Sequence, residues 1–73
     1  SGSCVYETDA EGMMRQYFPN GAIIEVDKKA GDLTAYYKGS KVMRSKNISI
    51  RDLVTAQEIV SGWTDGSNPM PNI

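Results

Sequence analysis

Residues 18–39 read FPNGAIIEVDKKAGDLTAYYKG, and this stretch decides the fold of the chain. After the turn, side chains alternate at a period of two, so Ala22, Ile24 and Val26 share one face. A polar loop over residues 27–32 follows, and the same alternation returns over residues 33–37. The pattern predicts a β-hairpin or part of a meander.

Two shorter apolar stretches, residues 5–9 and 13–18, precede this hairpin. Asn20 and Gly21 separate the second stretch from the hairpin, and they are a strong turn signal because both residues tolerate a positive φ. We therefore predict a hairpin or meander region over residues 4–39. Residues 1–3, Ser-Gly-Ser, are interpreted as the remnant of a cleaved expression tag and take no part in the fold prediction.

Beyond Gly39, apolar residues recur at even positions and polar residues interrupt them. Such short strands are too short for a stable sheet, but winding them around one axis stacks them into a continuous core. This pattern predicts a short-strand β-helix over residues 40–62 and a compact cap over residues 63–73. The predicted inward set is Val42, Ile48, Ile50, Val54, Ala56 and Val60, and the predicted cap residues are Trp63, Met70 and Ile73.

A single helix over residues 50–61 is the alternative for the same segment. Ser49 with Asp52 resembles a capping box, and Gly62 has the place of a glycine after the last turn. Five β-branched residues mildly disfavour this helix, so the sequence leaves strand and helix open here. The helical version corresponds to a small α+β domain. Helical spacing is found at Leu53, Ala56, Gln57 and Val60.

Length limits how the chain is stabilised. It has 73 residues and a mass of 8.0 kDa, so it holds one domain at most, and a core of that size rarely supplies more than roughly 3–5 kcal/mol. One cysteine rules out an intrachain disulfide, and the absence of histidine argues against a zinc site. Oligomerisation is the remaining way to complete the core. We therefore predict a mostly β structural module that assembles with other copies.

The inventory of reactive side chains argues against catalysis. Histidine, the commonest general base and metal ligand, is absent. Cys4 has no base to activate it, and the carboxylates of residues 9, 11, 27 and 32 fall in predicted turns, where Asp is common for backbone reasons. We expect no enzymatic activity, no metal and no cofactor.

Charge and aromatic residues give a second hypothesis. The net charge is −1 and the pI is about 5.2, so the cluster Lys38, Lys41, Arg44 and Lys46 is expected to be a solvated face rather than a nucleic-acid site. Tyr36 and Tyr37 point to opposite faces of one strand, and an outward tyrosine suits an interface. The alternative function is a monomeric small β-barrel or α+β module that binds a peptide or nucleic acid through these tyrosines and the lysine cluster.

The stretch Tyr17 to Asp27, the polar loop and the stretch Leu33 to Gly39 resemble a known pattern. They are similar to the F-x-D/N-G-x-x-I-x-Y/V-D … L-x-V-x-x-G region of baseplate spike proteins from contractile-tailed bacteriophages, the P2-like protein V group. In that family the region leads from an oligosaccharide-binding-type barrel into an intertwined β-helix. The match covers roughly a third of the chain.

The resemblance implies a homotrimer in which three chains wind round one axis and taper to a tip. It implies a mechanical, non-catalytic part of the virion baseplate, joined to the rest of the tail through a preceding segment. Its tip crosses the host outer membrane during infection. Many family members hold iron at the tip through His-x-His, and this chain has no histidine. The tip is therefore expected to close by apolar packing of Trp63, Met70 and Ile73.

Overall fold

The computed structural model describes residues 4–71, which form one antiparallel sheet and one helix. The sheet has five strands in chain order, so each strand pairs with the next. The elements are β1 Val5–Thr8, β2 Met13–Tyr17, β3 Ile23–Asp27, β4 Asp32–Tyr37, β5 Ser40–Ser45 and α1 Ile50–Asp65. The architecture is a small, mostly β domain: an up-and-down meander followed by a helix. No helix among these residues is long and apolar enough to span a lipid bilayer.

Short polar side chains hold the tight turns of the meander. Asp9 Oδ1 accepts hydrogen bonds from the amides of Glu11 and Met13, both at 3.0 Å. Asn20 and Asp27 accept in the same way from amides in the next two turns. A side chain that closes a turn onto its own backbone fixes where each strand ends, which is why neighbours in sequence become neighbours in the sheet.

The hairpin predicted over residues 18–39 is confirmed as β3 and β4. Ile24 lies opposite Ala35, and Val26 lies opposite Leu33. All four side chains are buried on the inner face, as the alternation predicted. The odd-numbered residues of β3 lie on the other face, which α1 does not cover.

Helix α1 packs on the inner face and completes the core. Asn20 Nδ2 donates to the carbonyl oxygen of Val60 at 3.0 Å, and the rings of Trp63 and Tyr37 have centroids 5.7 Å apart. These contacts place the helix over the middle of the sheet. The buried apolar residues are Phe18, Ala22, Ile24, Val26, Leu33, Ala35, Ala56, Val60 and Trp63.

Both ends of α1 are set by local chemistry. Ser49 Oγ accepts from the amide of Asp52 at 3.2 Å, and the Asp52 carboxylate accepts from the amide of Ser49 at 2.8 Å, which forms a capping box. Gly66 ends the helix at φ 80°, a left-handed conformation that glycine adopts without strain. The helix therefore runs past Gly62, where the sequence predicted its end.

The short-strand winding predicted over residues 40–62 is not found in this structure. Residues 40–45 extend the sheet as β5, and residues 50–65 are helical. Ala56 and Val60 are four apart, so they fit a period of two and a helical face equally well. Leu53 and Trp63 lie at odd positions and complete the helical stripe, and the capping box fixes its start. The helical stripe and the capping box outweigh the mild cost of the β-branched residues. The structure therefore follows the α+β alternative.

One helix does not cover the whole sheet. A helix is about 10–12 Å wide, whereas five strands at about 4.8 Å spacing span roughly twice that width. The side chain of Tyr6, on the inner face of β1, consequently stays 60% exposed. The sheet thus has an uncovered flank on its inner side and a fully open outer face.

Candidate binding face

The outer face of the sheet carries two rows of side chains that run across the strands. Their order follows from the register, because residues directly opposite each other share a face. The charged row consists of Glu7, Arg15, Glu25, Thr34 and Arg44. The apolar row consists of Val5, Tyr17, Ile23 and Tyr36. No described residue of α1 packs against either row.

Arg15 lies at the centre of the charged row and contacts three carboxylates. Its Nε is 3.0 Å from Glu25 Oε2, and its Nη1 is 3.2 Å from Asp9 Oδ2 and 3.4 Å from Glu7 Oε1. One guanidinium among three carboxylates leaves the cluster with net negative charge. All four side chains are partly exposed, so the cluster adds little to stability but gives the face an acidic potential.

The same contacts shift the pKa values of two residues in the cluster, Arg15 and Asp9. The hydrogen bond that Arg15 donates to Glu25, and then the one it donates to Asp9, raises the pKa of Arg15 above its ordinary value. The amide of Met13, helped by the Arg15 guanidinium, lowers the pKa of Asp9. The charges of Arg15 and Asp9 are therefore fixed across the physiological range.

Two tyrosines of the apolar row are tied to this cluster by their hydroxyl groups. Tyr17 Oη donates to Glu7 Oε1 at 2.9 Å, and Tyr36 Oη donates to Glu25 Oε1 at 3.4 Å. The hydrogen bond to Glu7 raises the pKa of Tyr17, whereas burial and then the charge of Glu25 raise the pKa of Tyr36. Each ring is thus held at both ends, by the backbone and by its hydroxyl.

A cleft of about 290 Å³ lies between these rings, and we call it the tyrosine cleft. Tyr17 and Tyr36 form its walls on β2 and β4, and Ile23 on β3 forms its floor. The residues that line it are Arg15, Tyr17, Gly21, Ile23, Glu25, Tyr36 and Gly39. It therefore offers an apolar centre with a charged end.

The other end of the tyrosine cleft is open because two turn glycines form it. Gly21 has φ 88° and Gly39 has φ 79°, and nothing lies within 4 Å of where a Cβ would stand at either position. The turns require left-handed backbone there, and glycine supplies it without a side chain. An extended ligand therefore has room to leave the cleft past these turns.

A second, more polar cleft of about 230 Å³ lies on the far side of Tyr36. It holds carboxylates and cations together: Glu25, Asp27, Asp32, Lys41 and Arg44 line it with Met13, Thr34 and Tyr36. Both signs of charge side by side do not suit a polyanion such as nucleic acid. This mixed lining suits polar groups of a peptide.

Tyr36 and Tyr37 lie on opposite faces of β4, as the sequence predicted, so the two tyrosines do not form one binding surface. Tyr36 faces the tyrosine cleft, whereas Tyr37 faces inward against Trp63, with Lys38 Nζ 5.5 Å from its ring centroid. The cleft partner of Tyr36 is Tyr17, which sequence reasoning missed. The turn could have located Tyr17 from the sequence. Residues 18–22 close this turn, which places Tyr17 opposite Ile23.

The residues predicted for a trimer core do not share one face in this structure. Ala56 and Val60 are buried within the chain, and Ile50 and Val54 are 83% and 44% exposed. Val42 and Ile48 are partly buried against the core. The even-numbered residues are thus divided between the core, the exposed surface and the partly buried edge of the core.

The predicted tip residues are also separated. Trp63 is 8% exposed and belongs to the core, whereas Met70 is 47% exposed in the segment after α1. Ile73 and the presumed tag remnant, residues 1–3, lie outside the described residues. Within residues 4–71, no three His, Cys, Asp or Glu side chains are grouped as metal ligands would be.

Comparison with known proteins gives no match: no family model, no curated protein sequence and no solved structure is significantly similar to this chain.

Proposed function

We propose that this chain is a non-catalytic binding module that holds an extended peptide segment of another protein in its tyrosine cleft. The observation that carries this proposal is the arrangement of Tyr17 and Tyr36 on either side of Ile23, with both hydroxyls tied to carboxylates. Rings that are already fixed lose little side-chain entropy when a ligand binds. Such rings therefore give binding energy at low entropic cost.

The dimensions of the cleft indicate what enters it. Its walls are on strands that are two apart, which separates their backbones by about 10 Å. Between two rings this leaves space for one flat or slender apolar group, such as a proline ring or an aliphatic side chain. Tyrosine-lined grooves bind proline-containing extended segments in this way.

The charge of the Arg15 cluster indicates which kind of ligand residue lies next to the apolar group in the cleft. The Arg15 cluster at the charged end has three carboxylates for one guanidinium. A lysine or arginine in the ligand would pair with this excess, and an acidic ligand would be repelled. We therefore expect the preferred peptide to carry a basic residue close to its proline or aliphatic residue.

A displayed library of random peptides, selected on the whole chain, tests the proposal. Enriched peptides are synthesised, their Kd is measured by calorimetry, and their contacts are located from backbone amide NMR shifts. We expect shifts at residues of β2, β3 and β4 that line the cleft. Tyr17→Ser should weaken binding at least about ten-fold, the effect of losing about 1.4 kcal/mol from an aromatic contact.

Tyr6→Ser is the matched control, since Tyr6 is an exposed tyrosine on the opposite face of the sheet. It should leave peptide affinity unchanged. Peptides that bind equally well to the Tyr17→Ser variant, or that shift only residues of α1, would contradict the proposal.

The spike role implied by the family resemblance is the second candidate. The observation that favours it is that the matching stretch, residues 17–39, coincides with the β3–β4 hairpin and its flanking turns. In this candidate the chain is a non-catalytic part of a homotrimeric phage tail spike that acts at the host outer membrane. Its β-helix requires residues 50–65 to become strands on assembly. Light scattering tests it: the trimer has a mass near 24 kDa, three times 8.0 kDa.

A further inference from the structure

The two edges of the sheet differ in how they are protected against pairing. β5 carries Lys41 and Arg44, and a register shift leaves Val42 as an extra residue in the strand. Basic side chains and bulges are devices that block edge-to-edge pairing. β1 contains no lysine, proline or bulge, and all its residues are exposed. The β1 edge is therefore the one open to another strand.

Backbone groups on β1 point towards that open side. The amide of Asp9 donates to the carbonyl of Met13 at 3.0 Å, which makes this a hydrogen-bonded pair of the β1–β2 ladder. Such pairs alternate along an antiparallel ladder, so Tyr6 and Thr8 have their N–H and C=O groups directed away from β2. These groups are available to a partner strand.

Exposed apolar side chains lie on the same flank. Tyr6 is 60% exposed on the inner face of β1. On α1, Ile50 and Val54 follow the helical spacing of Gln57, and Gln57 contacts Gln16 on β2. Both residues therefore face the β1 side of the molecule, where they are 83% and 44% exposed.

We propose that the occupant of this edge is a second copy of the chain, joined through an antiparallel β1–β1 contact across a two-fold axis. The best register places Tyr6 opposite Tyr6 of the second copy and Cys4 opposite its Thr8. It engages both outward-directed residues of β1, Tyr6 and Thr8, in each copy, and extends the pairing to Cys4. Shifting one way places Glu7 against Glu7 of the second copy, and like charges directly opposite are destabilising. Shifting the other way places Thr8 opposite residue 2 of the second copy, outside the described residues, so fewer described residues are engaged.

This contact is independent of the tyrosine cleft, which lies on the outer face. The two-fold axis stands perpendicular to the sheet, so both helices are on the same side of one continuous sheet. The two Tyr6 rings pack together at the axis, on the inner face of the sheet between the two helices. An aromatic cross-strand pair is among the more stabilising pairs in a sheet.

The first test is the mass in solution as the concentration of the whole chain rises to about 1 mM, a range that detects a weak dimer. We expect the mass to rise from 8.0 kDa towards twice 8.0 kDa. Thr8→Pro removes the outward amide without removing an amide from the β1–β2 ladder, and it should hold the mass at 8.0 kDa. Thr8→Ala keeps the amide and should dimerise as the unmodified chain does.

A constant monomer mass, a trimer mass, or dimerisation of the Thr8→Pro variant equal to that of the unmodified chain would each overturn the dimer. A second test does not depend on the Thr8→Pro variant folding. Opposite residues in a hydrogen-bonded antiparallel pair have Cα atoms about 5.5 Å apart, within the range of a disulfide. In Thr8→Cys, the introduced thiol should therefore cross-link to Cys4 of the second copy under mild oxidation.

Glu7→Cys is the control, because position 7 faces Val5 of the second copy in this register and has no thiol opposite. Peptide mapping should find the 4–8 disulfide, formed several-fold faster than any cross-link of the control. Equal rates in both variants, or cross-links only between two Cys4 residues, would overturn the proposed register and with it the contact.

Discussion

The side-chain amide of Gln57 on α1 donates a hydrogen bond to Oε1 of Gln16 on β2, with 2.9 Å between nitrogen and oxygen. Gln16 is 3% exposed, and its own Nε2 donates to Tyr6 Oη at 3.1 Å. It is the buried polar residue of the described core. This chain of contacts orients the helix on the sheet, because the hydrogen bond specifies which residues of α1 face β2.

We predict that Gln57→Ala destabilises the fold by about 1–3 kcal/mol, because Gln16 Oε1 would be left buried without a donor. Urea unfolding followed by circular dichroism measures this as a lower midpoint at an unchanged slope. Replacing Gln16 and Gln57 together by leucine removes both polar groups, so the double variant should lose less stability than Gln57→Ala. A larger loss in the double variant would contradict this account.

One buried and one exposed isoleucine provide the second prediction, which compares the effect of replacing each on stability. Ile24 is 0% exposed, so Ile24→Ala should cost about 2–5 kcal/mol through lost burial and the cavity it leaves. Ile50 is 83% exposed in the first turn of α1. Ile50→Asp should keep stability within about 0.5 kcal/mol, since an acidic residue suits a helix N-terminus.

The same Ile50→Asp variant separates the two architectures. In the trimeric β-helix, Ile50 faces the axis, and a buried carboxylate would abolish assembly. In the present fold, the variant should show an unchanged circular dichroism spectrum and thermal midpoint. Loss of the folded signal would contradict the helical assignment of residue 50.

The helix cap gives a third prediction. Ser49→Ala removes the acceptor of the Asp52 amide and should cost about 1 kcal/mol. Ser49→Asp restores an acceptor at the same position and should recover most of the loss. Thermal unfolding of the three chains measures the difference, and equal midpoints would show that the cap does not set the start of α1.

Alkaline pH should destabilise the fold through the tied tyrosines. The pKa values of Tyr17 and Tyr36 are raised above 10.0 in the folded chain, so folding favours the neutral phenols. Their contribution is fully present below pH 10 and is lost as the pH rises through the raised values. In Tyr17→Phe, the fall of the unfolding midpoint above pH 10 should be shallower. Tyrosinate absorbance against pH provides an independent measurement.

The sequence predicted the sheet better than it predicted the helix, for a physical reason. The β3–β4 hairpin combines a period of two with strong turn residues, and both signals are local. Over residues 50–60, Ala56 and Val60 satisfy either period, so contacts distant in sequence add to the local capping box in favouring the helix. The carbonyl oxygen of Val60 accepts a hydrogen bond from the Asn20 side-chain amide, and Trp63 packs on Tyr37. Neither contact can be inferred from the helix or strand propensity of residues 50–60.

The candidate site was predicted in part. The sequence predicted that Tyr36 and Tyr37 point to opposite faces, and Tyr36 is the one that lines the tyrosine cleft. Tyr17 was missed, although the turn at Asn20 fixes its position opposite Ile23. The Arg15 cluster was also missed, because Asp9 and Glu25 are distant from Arg15 in sequence until the registers of two hairpins are combined.

The meander order has a consequence for how the chain folds during synthesis. Each strand pairs with the one just before it, so no long loop has to close and the sheet is expected to form quickly for a β protein. The 16-residue helix is made after all five strands. Until it leaves the ribosome, the nascent sheet presents Ile24, Leu33 and Ala35 to the solvent. In that interval the exposed apolar strands are expected to be the part of the chain most prone to aggregation.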